Sequence, residues 1–310
     1  MKRSGEFWLD DDTVILVTRD VEFMVYSGVL ATHSRVFWEL FSQDNPIRIV
    51  PINGKNGVPC PVVTLTDSPE DLRHILRVYV PRRNVSVLVA GDPSFAMISA
   101  YIRLGKKYKM TSLYEQSLDF LKIYYPTTLE VWLEAPEWDP RGWLSTQLLA
   151  RLTRELALLP AAFISSTTLN SIARGFTRED GLQETLAPDD LNICFRTKTA
   201  LRKASIKVLL DTLSPVVAPT CETAAACRKA FRGVLAELRF LVDDLIDQDP
   251  FSSYARHLED GGLEFEVCAA CLSMTDTRCQ NGGQELWNSL PEVLGIKVPG
   301  WGEQIAAAAG

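Results

Sequence analysis

Seven cysteines carry the most concrete chemistry in this chain, and four of them fall into two pairs. Cys268 and Cys271 form a Cys-x-x-Cys step, while five residues separate Cys221 from Cys227. A thiolate pair at the first spacing offers zinc two ligands from one short turn, and a second pair would complete a tetrahedron. Such an ion would be structural, holding a helical region whose connections look loose. The five-residue gap is wider than a standard knuckle, so the same side chains also read as small buried apolar groups. Cys60, Cys194 and Cys279 read as packing or surface residues. The three histidines, His33, His74 and His257, leave few bases for a cysteine nucleophile. An enzymatic alternative, metal-dependent or cysteine-nucleophile, would centre on Cys268, Cys271 and His257. The chain has no Gly-x-Ser-x-Gly, His-Glu-x-x-His, P-loop or dinucleotide fingerprint. Asp243, Asp244, Asp247 and Asp249 lack the bend glycine and closing glutamate of a calcium loop and read as a solvated helix end. Arg196, Lys198, Arg202, Lys203 and Lys207 read as a solvent-facing basic stripe on a helix.

The elements that would position these groups begin with a strand pair. Val14, Leu16, Phe23 and Val25 alternate within β-branched runs on either side of Arg19-Asp20, predicting a hairpin with one face buried. Val29, Val36, Phe37, Leu40 and Phe41 then approach helical spacing, and Ser34 is a candidate N-cap for the second of two short helices. Ser42 to Pro61, rich in Asn, Gly and Pro, reads as an exposed loop before a short strand at Val62–Leu65. Asp67 or Ser68 can cap the next helix, with Pro69 in its first turn and Leu72, Ile75, Leu76 and Tyr79 on one face. Helices follow over Ser94–Lys107 and from Thr111 or Ser112 to Tyr124, where Pro126 closes the first compact unit.

The second half is helical in pattern. Trp143 to Leu159 carries leucines at helical spacing and should stop at Pro160; longer helices are predicted over Leu191–Leu213 and from Cys221 through Ile246. Ser165–Thr168 and Glu179–Ala187 are polar and read as loops. At 310 residues, the chain is long enough for one large domain or two ordinary ones. A formal net charge of −7 argues against a broad nucleic-acid surface. The opening MKRSGEFWLDDD lacks the apolar stretch of a secretory signal, and no apolar run approaches bilayer length. The expectation is no membrane partner and a cytoplasmic or nuclear setting, where cysteines stay reduced or bind metal.

Four stretches carry a resemblance: Asp12–Val17, Phe23–Phe37, Cys60–Ser68 and Tyr101–Met110. In order and spacing they resemble the BTB/POZ domain. The whole chain resembles fungal proteins of the basidiomycete type, in which that domain precedes segments like Pro126–Glu130, Leu158–Ala162, Leu186–Leu191 and Trp287–Gly295. The resemblance implies an α+β fold: a BTB/POZ domain over 1–125, with a small mixed sheet flanked by helical hairpins, then a mainly α-helical region over 126–310. It also implies a non-enzymatic protein–protein interaction module that forms a homodimer or recruits protein partners, as a cullin-type ubiquitin-ligase adaptor or a transcriptional scaffold. Phe7, Trp8 and Leu9, large apolar residues in a charged arm, are candidate interface anchors, with covering the core edge as the other reading. Asp12 matches the acidic member of the family's charged interface pocket. Ser27 stands where its basic partner is expected.

Overall fold

The structure is a computed structural model that describes residues 1–9, 13–52, 55–80, 93–135, 142–167, 172–240, 245, 251, 254 and 267–302. It is of the α+β class and divides into two compact units. The first takes in Met1–Tyr124 together with Glu137–Glu155 and Arg174–Thr185; the second takes in Tyr125–Pro136, Leu156–Ala173 and Leu186–Gly310.

The first unit is built on a five-stranded mixed sheet of order β1-β3-β2-β5-β4. Its strands are β1 (Lys2–Trp8), β2 (Thr13–Thr18), β3 (Val21–Tyr26), β4 (Ile47–Ile52) and β5 (Lys55–Leu65). β2 and β3 form the expected hairpin, and Arg19 in their two-residue turn takes a φ of 49°. β1 runs parallel to β3, and β5 runs parallel to β2.

Both faces of this sheet are buried, one more than the alternation suggested. Val14, Leu16, Phe23 and Val25 line one side, while Ile15, Val17 and Met24 line the other, packed against Val50 and Cys60. One expectation is corrected here: Ser42–Pro61 is not an exposed loop. Most of it forms the antiparallel β4–β5 pair. Its prolines are tolerated because the Val62 N–H donates to the Pro46 carbonyl. The even-numbered residues therefore carry the donors of this ladder, and Pro59 and Pro61 occupy the positions between.

Around the sheet lie α1 (Ser27–His33), α2 (Arg35–Phe41), α3 (Pro69–Tyr79), α4 (Phe95–Lys107), α5 (Thr111–Tyr124) and α7 (Gly142–Thr153). Ser34 caps α2 by accepting the Phe37 N–H at 3.0 Å, and its hydroxyl donates to the Tyr108 carbonyl. Ser68 caps α3, with Pro69 at its start. The Tyr108 ring stacks on Phe37 at 4.2 Å, and its hydroxyl donates to Asp67. Burial, reinforced by the Asp67 carboxylate, pushes the Tyr108 phenol far above its ordinary pKa. Because Ser34 is 1% exposed and serves both α2 and the end of α4, Ser34→Ala removes a cap and orphans a carbonyl. The expected loss is about 2 kcal/mol, read as a lowered urea midpoint at unchanged slope.

The second unit is helical: α6 (Leu129–Glu134), α8 (Leu159–Thr167), α9 (Pro188–Thr212), α10 (Ala224–Glu237) and α11 (Ala269–Leu294). Three expectations for the second half of the chain need correction. The helix beginning near Trp143 ends at Thr153, where Arg154 takes a φ of 67°, and Pro160 lies in the first turn of α8, where a missing N–H costs nothing. Ser165–Thr167 are helical. The helix expected from Cys221 begins at Ala224 and passes at Leu238 into a short 3-10 turn. α11, which no periodic reading of the sequence picked out, lies against α9. A Cβ on Gly282 would come within 2.8 Å of a Val208 methyl, so glycine permits that approach. Trp287 of α11 is fully buried among Trp132, Phe251 and Trp301, with ring centroids 5.6, 5.4 and 5.0 Å away.

Candidate metal centre

Cys221, Cys227, Cys268 and Cys271 come together in the second unit, with all four sulfurs within 4.8 Å of one another. Three pieces of chain deliver them. Cys221 ends the turn after α9, Cys227 lies in the first turns of α10, and Cys268 is the N-cap of α11, with Cys271 one turn further in. α10 and α11 meet in a core of Leu213, Phe231, Val234, Leu238 and Tyr254 that also holds Cys227 and Cys271. The Cys-x-x-Cys step straddles a helix start, so its second sulfur points inward while the first stays at the rim.

The Sγ–Sγ separations are 3.7 Å for Cys221–Cys227 and 3.6 Å for Cys221–Cys268. A tetrahedron with metal–sulfur bonds of about 2.3 Å has edges of about 3.8 Å, so these sulfurs already stand at zinc-site spacing. They are too far apart to be bonded, and all four are free thiols. Backbone donors point at the buried pair. The Cys268 N–H reaches Cys227 Sγ and the Ala218 N–H reaches Cys271 Sγ, each at 3.4 Å. Burial raises the Cys227 thiol, but hydrogen bonds from Thr223 and from the Cys268 N–H, with the neighbouring cysteines, outweigh it and hold the group down at about 7. Burial dominates at Cys271 and pushes it up to about 12. The two buried sulfurs thus sit in unlike surroundings, the one at Cys227 the better provided with donors to its thiolate.

Among the other candidates, Cys60 and Cys194 are buried packing residues and Cys279 is partly buried. The His33 ring lies tilted against Tyr79 with centroids 4.4 Å apart, and His74 Nε2 lies 2.8 Å from Glu179. His257 and Asp243, Asp244, Asp247 and Asp249 lie outside the described residues, as does Asp12 of the candidate interface. Phe7 is 2% exposed and packs toward Phe23, so its side chain offers no surface to a partner. Trp8 and Leu9 are half-buried, and the Arg3 guanidinium sits 4.6 Å over the Trp8 ring.

A second constellation escaped the sequence reading. Glu179–Ala187 is not simply loop: Phe176–Thr177 (β6) and Gln183–Glu184 (β7) pair across a turn at Asp180-Gly181, where Gly181 has a φ of 77°. This hairpin belongs to the first unit and is fastened to α3 and α4 by charge. Arg103 grips both oxygens of Asp71 at 3.0 and 3.1 Å and also reaches Glu184 at 3.2 Å, while Arg178 pairs with the same two acids. Burial pushes the Asp180 carboxyl up, but the Leu182 N–H and Arg178 outweigh it, joined by Ser68 and Arg19, and hold it below the usual range. The Asp-Gly pair was the available signal for this hairpin. Every acid in the network faces an arginine, which is the arrangement of a fastening.

Comparison of the chain with protein-family models, with curated proteins and with solved structures finds no match.

Proposed function

We propose that this chain is a non-enzymatic protein-interaction protein. Its first unit, of the BTB/POZ kind, docks onto a second copy or onto a protein partner, and its helical unit is held by one structural zinc. One observation carries the docking reading: the order of elements in the first unit. A strand pair, a helix pair, a later strand and further helices built on a small mixed sheet follow the order the family resemblance implies, to which β1 and the β4–β5 pairing are additions. The self-paired network of Asp71, Arg103, Arg178 and Glu184 lends further support, since its charges are directed at one another.

Zinc is favoured by donor chemistry and spacing. Four sulfurs suit a borderline-soft d¹⁰ ion better than calcium or magnesium, which take oxygen ligands. A catalytic zinc keeps one coordination position open, whereas four thiolates fill the tetrahedron, so this donor set favours the structural role over the metal-enzyme alternative. Within the interaction class, a cullin-type ligase adaptor and a transcriptional scaffold, cytoplasmic or nuclear, are the two uses to test, because fold alone does not choose between them. No helix among the described residues is long and apolar enough to cross a membrane.

Trp8, on the edge strand β1, is the docking residue to test first. Wild-type chain is expected to scatter light with a mass above its 34.6 kDa protomer as concentration rises. Trp8→Ala is expected to remain nearer 34.6 kDa with unchanged circular dichroism, because aromatic anchors carry a disproportionate share of binding energy. Equal masses for the two proteins at every concentration would remove Trp8 from the interface.

A further inference from the structure

We infer that the Cys221–Cys268 edge of the four-sulfur centre is an oxidation site, where a peroxide joins the two sulfurs and releases the metal. The inference rests on the zinc reading and goes beyond it by assigning the four ligands unequal fates. Cys227 and Cys271 are 1% and 0% exposed and lie inside the core with Phe231 and Tyr254. Cys221 and Cys268 keep part of their surface in solvent, and their sulfurs stand 3.6 Å apart. An oxidant arriving from water therefore meets this edge of the tetrahedron first.

Backbone geometry separates the pairs in the same way. Cys227 and Cys271 sit within α10 and α11, where the chain is fixed by helical hydrogen bonds. Cys221 lies in the turn before α10, and Cys268 is an N-cap in extended conformation. Rotation of either rim side chain can bring the two sulfurs together without disturbing a helix.

The chemistry balances with hydrogen peroxide as the two-electron oxidant. One rim thiolate attacks a peroxide oxygen; the O–O bond breaks, and the hydroxide that leaves takes a proton to become water. The resulting sulfenic acid is attacked by the second rim thiolate, forming the S–S bond and expelling a second hydroxide, which is also protonated. Two thiolates have lost two electrons, one peroxide and two protons have become two waters, and the zinc ion departs with only two thiolate ligands left. The new bond links residues 47 apart in sequence and keeps the starts of α10 and α11 tethered, so the oxidised chain is loosened at Cys227 and Cys271 without losing the join between the helices.

The test uses the full chain as purified, with its zinc measured before oxidant is added. On treatment with about two equivalents of hydrogen peroxide, bound zinc is expected to fall from about one equivalent to below about a tenth. Non-reducing peptide maps should show a Cys221–Cys268 disulfide rising one-for-one with released zinc, with Cys227 and Cys271 recovered as alkylated thiols. Dithiothreitol with added zinc should restore the starting state. A Cys279→Ser variant, which leaves all four ligands in place, should behave as wild type. Zinc retained through the treatment, or released with the new bond on Cys227 or Cys271, would overturn the inference. Protein that carries no zinc before oxidation would instead remove the metal reading, and the same map of that protein would still show whether the rim sulfurs pair first.

Discussion

Stripping the proposed zinc from the purified protein is expected to lower the melting transition of the helical unit by tens of degrees while that of the sheet-based unit stays in place. The reason is the number of chain segments that meet at the four sulfurs. The turn carrying Ala218 and Cys221, the start of α10 and the start of α11 all converge there, and the core around Phe231 and Tyr254 is built over that junction. Structural zinc in small domains supplies about 10–16 kcal/mol of binding free energy, comparable to the whole net stability of a domain at about 5–15 kcal/mol. Tryptophan emission provides a readout within this unit, because Trp287 is fully buried, stacked on Trp301 and tilted against Trp132. Its emission should shift to the red as that stack opens, and added zinc should reverse the change. An identical melting curve after verified removal of the metal would exclude a stabilising role for it.

Asp71→Ala should destabilise the first unit by about 3 kcal/mol, a loss of roughly 6–12 °C in its transition, because it takes from two largely buried arginines the acid they share. Arg103 would keep Glu184 and Ser99, and Arg178 would keep Glu184 and Asp180. The hairpin of β6 and β7 would lose its principal tie to α3. Limited proteolysis should accordingly cut near Gly181 well before global unfolding. A change below about 0.5 kcal/mol, with no new cleavage, would show the network to be no stronger than surface pairing. Acid should reproduce part of the effect. Asp180 titrates below its ordinary value of about 3.8, so its stabilisation is complete above that pH and disappears as the pH falls through its lower folded value.

Local chemistry was readable wherever it was strong. Ser34 and Ser68 announced two helix starts, and alternation from Val14 to Val25 located the central hairpin, since caps and period-two burial are written in neighbouring residues. The stretch from Ser42 to Pro61 was misread because its prolines mimic loop chemistry. Only the pairing partner shows that Pro59 and Pro61 fall where no ladder donor is needed. α11 was missed for a related reason: Asn281, Gly282 and Gly283 are poor helix formers, and their justification lies across the interface at Val208. The four cysteines were named from spacing alone, although spacing could not show that the wide Cys221–Cys227 gap closes through a turn and a helix start. The clamp of Arg103 and Arg178 on Asp71 was out of reach, because its members lie 32 and 107 residues from that acid.

Zinc-edge X-ray absorption on the purified chain is the most direct test of the proposed closed, structural centre, because it counts ligands and identifies them. The expected spectrum fits four sulfur atoms at about 2.3 Å with no lighter ligand. A shell containing nitrogen or oxygen at about 2.0–2.1 Å would mean an open or histidine-bound site and would favour metal-dependent catalysis instead.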